Sequence, residues 1–251
     1  MEFSFKDARF FKQCIDAVGN LIDEGSFEIS KEGIHLRSLD PSQIAMVDFR
    51  LPKGHAFASF DVDEPRTISL NLQDLSKVLS RSKGSEKVTI VFDEKEGNRL
   101  LIDFAGDSKR DFKLPLLDLR DSSIPKEPKV QLETAVKIKA GHFKEMLKDV
   151  VLVSSHLQME AQDGQFNIEA HGDSGDLKVE NNTKTLKDLE VKAASATKAM
   201  YPAEYLDKMT RAAIEAEPVH IEFGTNKPIR LSYKISEAEF VFFLAPRVES
   251  A

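Results

Sequence analysis

Apolar and polar residues alternate with a period of two through much of this chain. Clear runs are Ser26-Phe27-Glu28-Ile29, Phe166-Asn167-Ile168-Glu169-Ala170, Leu177-Lys178-Val179-Glu180, Leu189-Glu190-Val191-Lys192 and Ile229-Arg230-Leu231-Ser232-Tyr233. Such alternation puts the apolar side chains on one face, as in antiparallel sheets with one side buried. Turn signals separate the runs at Glu32-Gly33, Gly97-Asn98, Asp163-Gly164 and from Gly224 to Pro228. Four segments switch to the helical period. The first is Asp7 to Ile22, with Phe11, Cys14, Ile15, Val18 and Ile22 inside. The second is Leu72 to Ser82, capped by Asn71, with Leu72, Leu75, Val78 and Leu79 inside. The third is Gly141 to Val151, with Phe143, Met146, Leu147 and Val150 inside. The fourth starts at the first-turn proline Pro202, with Leu206, Met209 and Ala213 inside. The class expected is α+β.

The two halves repeat each other at an offset of about 131 residues. Phe11-Lys12 falls on Phe143-Lys144, Val18 on Val150, Gly33 on Gly164, Leu75 on Leu206 and Lys77 on Lys208. The run Val88 to Phe92 falls on Val219 to Phe223, and Arg99-Leu100 on Arg230-Leu231. Each half reads as helix, strands, helix, strands. The division expected is residues 1–117, a connector at 118–134, and residues 135–251. The connector carries Ile124-Pro125 and Glu127-Pro128, which suits an extended surface segment. A tandem αβ repeat points to pseudo-symmetry and assembly, not to one active site.

Composition narrows the class. Of the 251 residues, 41% are apolar, enough for two cores, and 31% are charged, as in a soluble protein. The single cysteine, Cys14, excludes an internal disulfide and fits a reducing compartment. No apolar run approaches the roughly 20 residues needed to span a bilayer, and no signal-peptide pattern opens the chain. The location expected is cytoplasmic, beside the nucleoid or in a nucleus, with no membrane partner.

The formal charge of −7 argues against a nucleic-acid partner until the cations are located. Opposite its apolar stripe, each helix carries a basic pair at a spacing of three or four residues: Arg9 and Lys12, Lys77 and Arg81, Lys144 and Lys148, Lys208 and Arg211. Lysine and arginine are ordinary on any one exposed helix. Repetition in four of four points to a common surface for a polyanion, contacted through phosphates without base readout.

Several segments together resemble the sliding clamps of the proliferating cell nuclear antigen (PCNA) family, with an archaeal cast. They are Leu39-Asp40-Pro41-Ser42-Gln43-Ile44-Ala45-Met46-Val47, the helix bearing Lys77, the connector around Ile124-Pro125, and the ending Phe243-Leu244-Ala245-Pro246-Arg247-Val248-Glu249. The resemblance runs through the whole chain in order. It implies a ring of three subunits, with sheets outside and basic helices lining a hole around double-stranded DNA. It also implies that the eight helix cations face DNA. Partners implied are DNA polymerase, clamp loader, flap endonuclease and DNA ligase, each docking by a short peptide with an apolar and aromatic plug. The peptide pocket implied comprises Leu39, Ile44, Met46, Ile124, Pro228, Phe243, Leu244, Ala245 and Pro246. Phe243 replaces the tyrosine common at that place. The subunit interface implied pairs Lys109, Arg110, Phe112, Lys113 and Leu114 with Asp176, Leu177, Lys178, Val179 and Glu180 of the neighbour. Gly19 stands where relatives often carry lysine, so it marks either close packing or a loose helix end.

No catalytic set, metal site or cofactor is expected. The six histidines lack metal-ligand spacing. Ser154-Ser155-His156 lacks an elbow motif and a third partner. Asp61, Asp63 and Glu64 lack the glycine and distal glutamate of a calcium loop, and Gly172-Asp173-Ser174-Gly175 is no phosphate-binding loop. Beside the homotrimeric clamp stand a subunit of a heterotrimeric clamp, a monomeric duplex-binding module, and a hydrolase using Ser154 and His156.

Overall fold

The computed structural model describes residues 1–92, 97–106, 108–119, 125–173 and 175–247. The first half runs β1 (Glu2–Phe5), α1 (Ala8–Gly19), β2 (Glu24–Ser30), β3 (Gly33–Leu39), β4 (Ala45–Pro52), β5 (Phe57–Asp61), β6 (Arg66–Asn71), α2 (Leu72–Leu79), β7 (Lys87–Val91), β8 (Arg99–Ala105) and β9 (Lys109–Pro115). The second repeats the order: β10 (Thr134–Lys139), α3 (Ala140–Val153), β11 (His156–Gln162), β12 (Gln165–Gly172), β13 (Gly175–Asn182), β14 (Glu190–Ala193), β15 (Thr197–Pro202), α4 (Ala203–Thr210), β16 (Pro218–Phe223), β17 (Ile229–Ile235) and β18 (Ala238–Leu244).

The chain forms two compact units. The first comprises Met1–Pro41, Val47–Pro125 and Ile235–Glu239; the second comprises Ser42–Met46, Lys126–Lys234 and Phe240–Ala251. Each half therefore lends a short segment to the other half's unit.

Connectivity repeats as faithfully as element order. In the first unit, one set of strands runs β5-β1-β7-β8-β9 and another runs β6-β2-β3-β4. Their counterparts are β14-β10-β16-β17-β18 and β15-β11-β12-β13. The period-two pattern explains the layering. Phe27, Ile29, Ile34, Ile68 and Leu70 of one sheet and Phe3, Ile90 and Leu100 of the other meet Phe11 of α1 and Leu75 of α2 around a void of about 20 Å³. Phe5 stacks on Phe11 with ring centroids 4.2 Å apart, which fixes α1 on β1. In the second unit, Phe143, Leu147, Phe166, Ile168, Leu206, Met209, Ile221 and Phe223 form the equivalent core.

Helix ends depart from the sequence reading in instructive ways. Asp7 caps α1 through its side chain, which accepts from the Arg9 N–H. The helix stops at Gly19, short of Ile22, and the chain turns through bonds from the Leu21 and Ile22 N–H groups to the Val18 carbonyl. Gly19 is thus a helix end and not a point of close packing. A Cβ there would meet only ordinary contacts, with Gln73 Nε2 at 3.6 Å and Leu72 Cβ at 3.8 Å. Asn71 caps α2 as its side chain suggests, accepting from the Asp74 N–H at 3.0 Å. That helix ends at Leu79; Arg81 and Ser82 follow in a turn closed by bonds to Val78 and Leu79. Val78 is half-exposed because it lies at the margin of the stripe. The third helix is longer than expected and begins at Ala140, whose N–H bonds the Glu217 carbonyl at 2.9 Å.

Candidate nucleic-acid interface

Each unit sets its two helices side by side. In the first, Ser76 Oγ of α2 donates to the Asp16 carboxylate of α1 at 2.5 Å, and Gln73 Nε2 donates to the Gly19 carbonyl at 2.9 Å. In the second, the Lys144 ammonium of α3 donates to the carbonyls of Arg211 and Ala213 at 3.0 and 2.6 Å. The Arg211 carbonyl lies at the C-terminal cap of α4, where the helix dipole favours a cation, and the Ala213 carbonyl lies in the turn that follows. Lys144 is half-buried, and desolvation lowers its pKa, although Glu215 and Asp207 oppose that shift. Its charge serves the packing of two helices before it serves any ligand.

The other helix cations are matched by carboxylates close by in sequence. Arg9 pairs with Asp7 at 2.6 Å, Lys77 with Asp74 at 3.0 Å, and Lys148 with Glu145 at 2.6 Å. Lys208 pairs with Glu204 at 2.6 Å, and Arg211 with Asp207 at 2.6 Å. Lys12 hydrogen-bonds Asp16. The Glu145 carboxylate raises the pKa of Lys148, and Asp7 raises that of Arg9, so both stay charged. Arg81 is exposed on its turn. Seven of the eight cations thus sit on the helices or at a helix cap, and Arg81 on the turn after α2; six hold a carboxylate and Lys144 holds backbone carbonyls. The spacing of the cations and the nearness of Asp16, Asp74, Glu145 and Asp207 are both legible in sequence; that each acid closes on a cation is seen only in the structure.

The edge strands lie where the sequence put them. β9 ends one sheet of the first unit and β13 ends one sheet of the second. Phe112, Leu114, Leu177 and Val179 are half-exposed along these edges, while Lys109, Lys113, Asp176, Lys178 and Glu180 are exposed. Arg110 is committed within its own unit: its guanidinium bonds Glu86, donates to the Arg81 carbonyl at 2.5 Å and lies 5.1 Å from the Phe104 ring centre. Lys178 balances Glu180 at 3.0 Å and Glu169 at 3.5 Å.

Of the expected peptide pocket, the second unit brings together Ile44, Met46, Phe243, Leu244, Ala245 and Pro246. The Ala245 N–H donates to the Ile44 carbonyl at 2.8 Å. Met46, Phe243 and Leu244 are buried; Ala245, Pro246 and Pro228 are half-exposed. Ile44 is 37% exposed, as is Leu39, at 41%, in the first unit. These are two of the few large apolar side chains left open to water. Ile124 lies outside the described residues.

Sequence reasoning missed a charged cluster on β2, β3 and β4. Asp48 is almost fully buried, yet it receives His35 Nε2 at 3.1 Å, Arg50 Nε at 3.1 Å and Arg37 Nε at 2.7 Å. The other His35 nitrogen lies 3.0 Å from Glu28. Burial alone would raise the Asp48 pKa, but the bonds from His35, Arg50 and Arg37 outweigh it and hold the carboxyl far below its usual range. The Asp48 bond, assisted by Glu28, raises His35 against the opposing effect of its burial. Local spacing announces only the Asp48–Arg50 pair on β4; His35, Arg37 and Glu28 join it across neighbouring strands. Lys227 was read only as part of a turn; its ammonium holds the end of the connector at the Gln131 carbonyl, 2.9 Å away, and at Glu133.

Among the described residues, no group of three or more His, Cys, Asp or Glu side chains stands close enough to hold a metal ion. The Ser154 hydroxyl accepts from the His156 N–H at 3.3 Å, whereas Ser155 Oγ reaches His156 Nδ1 at 2.8 Å. The Arg247 guanidinium lies 2.9 Å from the same nitrogen; with burial, the larger effect, it lowers the His156 pKa. No helix is long and apolar enough to cross a membrane among the described residues.

A tandem repeat with paired basic helices and two open strand edges defines a class of assembling scaffold. Comparison with known proteins narrows it. The N-terminal domain of proliferating cell nuclear antigen matches residues 1–123, and its C-terminal domain matches residues 126–248. The chain belongs to the proliferating cell nuclear antigen family. It is 34% identical over 249 residues to a DNA polymerase sliding clamp of Pyrococcus abyssi, covering 99% of this chain and 98% of that one. It is also 34% identical over 251 residues to one from Thermofilum pendens, covering 99% and 100%. PCNA from Thermococcus kodakaraensis superposes with a TM-score of 0.90 at 27% identity, covering 98% of this chain and 99% of that chain. The Entamoeba histolytica protein, at 19% identity and a TM-score of 0.89 over 98% of each chain, shares the fold.

Proposed function

We propose that this chain is a DNA polymerase sliding clamp: three copies close into a ring around duplex DNA and tether a polymerase. Clamp loader, flap endonuclease and ligase dock on the same ring through short peptides. The clamp performs no chemistry itself; linkage to DNA is topological. The relatives' shared name supports this reading, and one structural observation carries it.

That observation is the repeated connectivity. Within the second unit, the segment Ser42–Met46, where β4 begins, lies beside the end of β18. By the internal repeat, β18 corresponds to β9 and β4 to β13. Repeating the same junction between copies joins β9 of one chain to β13 of the next. Such a heterologous contact closes into a ring when its rotation allows. The half-exposed Phe112, Leu114, Leu177 and Val179 supply the apolar part of the joint, and Lys109 and Lys113 face the acids Asp176 and Glu180. The eight cations then line the hole, and Ile44, with Ala245 and Pro246, receives the partner peptide.

The test is oligomeric mass by light scattering. The wild-type protein should run at about three times the 28.1 kDa chain mass. A K109E/K113E variant, which turns both edges acidic, should run as a monomer. A wild-type monomer overturns the ring. A trimer that survives the charge reversal removes the electrostatic part of the joint and leaves the ring standing.

A further inference from the structure

We propose that the carboxylates beside the helix cations restrain DNA affinity: each competes with a DNA phosphate for its neighbouring ammonium or guanidinium, so the ring holds duplex loosely enough to move along it. The proposal rests on the reading of these cations as DNA-facing, and it assigns a role to Asp7, Asp16, Asp74, Glu145, Glu204 and Asp207.

Six acid–cation pairs recur across the four helices at separations of two to four residues, with contacts of 2.6 Å at Arg9, Lys148, Lys208 and Arg211 and 3.0 Å at Lys77. Helix stabilisation does not explain them all. Asp16 lies in the last full turn of α1 and Asp207 in the second half of α4, where the dipole disfavours a negative charge. Lys12 precedes Asp16 by four residues, the weaker of the two orders for a helical ion pair. Asp16 is nevertheless held in place by the Ser76 hydroxyl from the adjacent helix. Asp7 caps its helix and also grips the Arg9 guanidinium through both oxygens. Asp16 and Asp207 are thus placed where their cations, and not the helix dipole, favour them.

The effect on DNA follows from ion exchange. A free lysine reaching a phosphate releases a condensed counterion, and that release drives salt-dependent binding. A lysine already holding a carboxylate must give up that partner or share it, so its net gain is smaller. The carboxylate itself also repels the phosphate at short range. The result is a lining that guides the duplex with little adhesion.

The experiment replaces all six acids by their amides (D7N, D16N, D74N, E145Q, E204Q, D207N), which keeps side-chain shape and the asparagine-type cap at position 7. Affinity for a short linear duplex is measured by fluorescence anisotropy across a salt series. A second variant, K12A/K77A/K148A/K208A, removes cations. A third neutralises six exposed acids on strands and turns (E2Q, D61N, D63N, E64Q, D163N, E239Q). The amide variant should bind about tenfold tighter or more, with a log–log salt slope steeper by about one or more. The cation variant should bind more weakly, and the third variant should change little. If the cation variant weakens binding and the amide variant does not tighten it, the restraint is refuted while the DNA-facing reading stands. If the third variant tightens binding as much as the first, net charge alone is at work and the proposal fails. If neither helix variant alters binding, the DNA-facing reading itself is wrong.

Discussion

Lys144 and Lys148 lie one turn apart on α3 and look equivalent in sequence, yet the structure gives them different work. Substituting Lys144 with methionine keeps the aliphatic stem and deletes the ammonium that ties α3 to the end of α4. Two charge-assisted bonds disappear, to the carbonyls of Arg211 and Ala213 at 3.0 and 2.6 Å. Bonds to charged groups contribute about 1.5–3 kcal/mol when buried. Lys144 is only half-buried, so water recovers part of the loss, and the net cost should be about 1–2 kcal/mol. For a unit of this size that lowers the melting temperature by about 4–8 °C. Lys148, by contrast, is exposed and paired only with Glu145.

Thermal unfolding followed by circular dichroism, together with duplex affinity across a salt series, separates the two roles. K144M should melt early while its salt slope stays close to wild type. K148A should melt as wild type and lower the salt slope, by less than the roughly one unit an unpaired lysine would contribute. If K144M melts as wild type and lowers the salt slope as K148A does, its ammonium faces phosphate. The helix-tie argument is then wrong.

Two further perturbations test the first unit. Asp48, held far below its usual pKa, stabilises the fold above pH 3.8, and that contribution disappears as pH falls through its lowered value. His35, raised above 6.5, stabilises fully below that value and loses its contribution as pH rises through the raised one. The melting temperature of the unit should therefore fall slightly between pH 6 and 8. H35Q should abolish that slope, and D48N should cost about 3 kcal/mol by leaving Arg37 and Arg50 without their buried partner. A pH-independent melt in wild type contradicts the His35 assignment. Gly19→Ala should stabilise by about 0.5 kcal/mol in urea unfolding, because the site is helical and open; destabilisation would mean that the α1 end is strained.

Much of this architecture is readable from local pattern because each element is buried on one side only. Phe11, Cys14, Ile15 and Val18 had to share a helix face, and Val219, Ile221 and Phe223 a strand face, whichever neighbours they met. The repeat then doubled every local inference. Across-strand chemistry is different. The Asp48 cluster joins residues on β2, β3 and β4, and Lys144 reaches backbone atoms far along the chain; neither obeys a spacing rule. The exchange of segments between units was equally hidden, since Ser42–Met46 reads as a loop running into an ordinary strand. Helix termini erred by a few residues where a capping turn continues the helical course with shorter-range bonds, as after Leu79.

The treatment of sheet edges carries the argument for assembly further than charge does. An unpaired strand edge invites association, so natural sheets shorten, charge, bulge or cover their edges. Here β5 has five residues and a register irregularity against β1. β14 has four residues and presents Glu190 and Lys192. The edge at β6 receives a bond from the Leu117 N–H to the Ser69 carbonyl, and the edge at β15 pairs with Arg247 through the Met200 carbonyl. The end of β18 is flanked by Ser42–Met46. β9 and β13 carry charge too, but among the described edge strands they are the long ones that are neither irregular nor covered: they have seven and eight residues and alternate charged with half-exposed apolar side chains. On the proposed ring, the pairing that satisfies both edges is made between successive copies, head to tail.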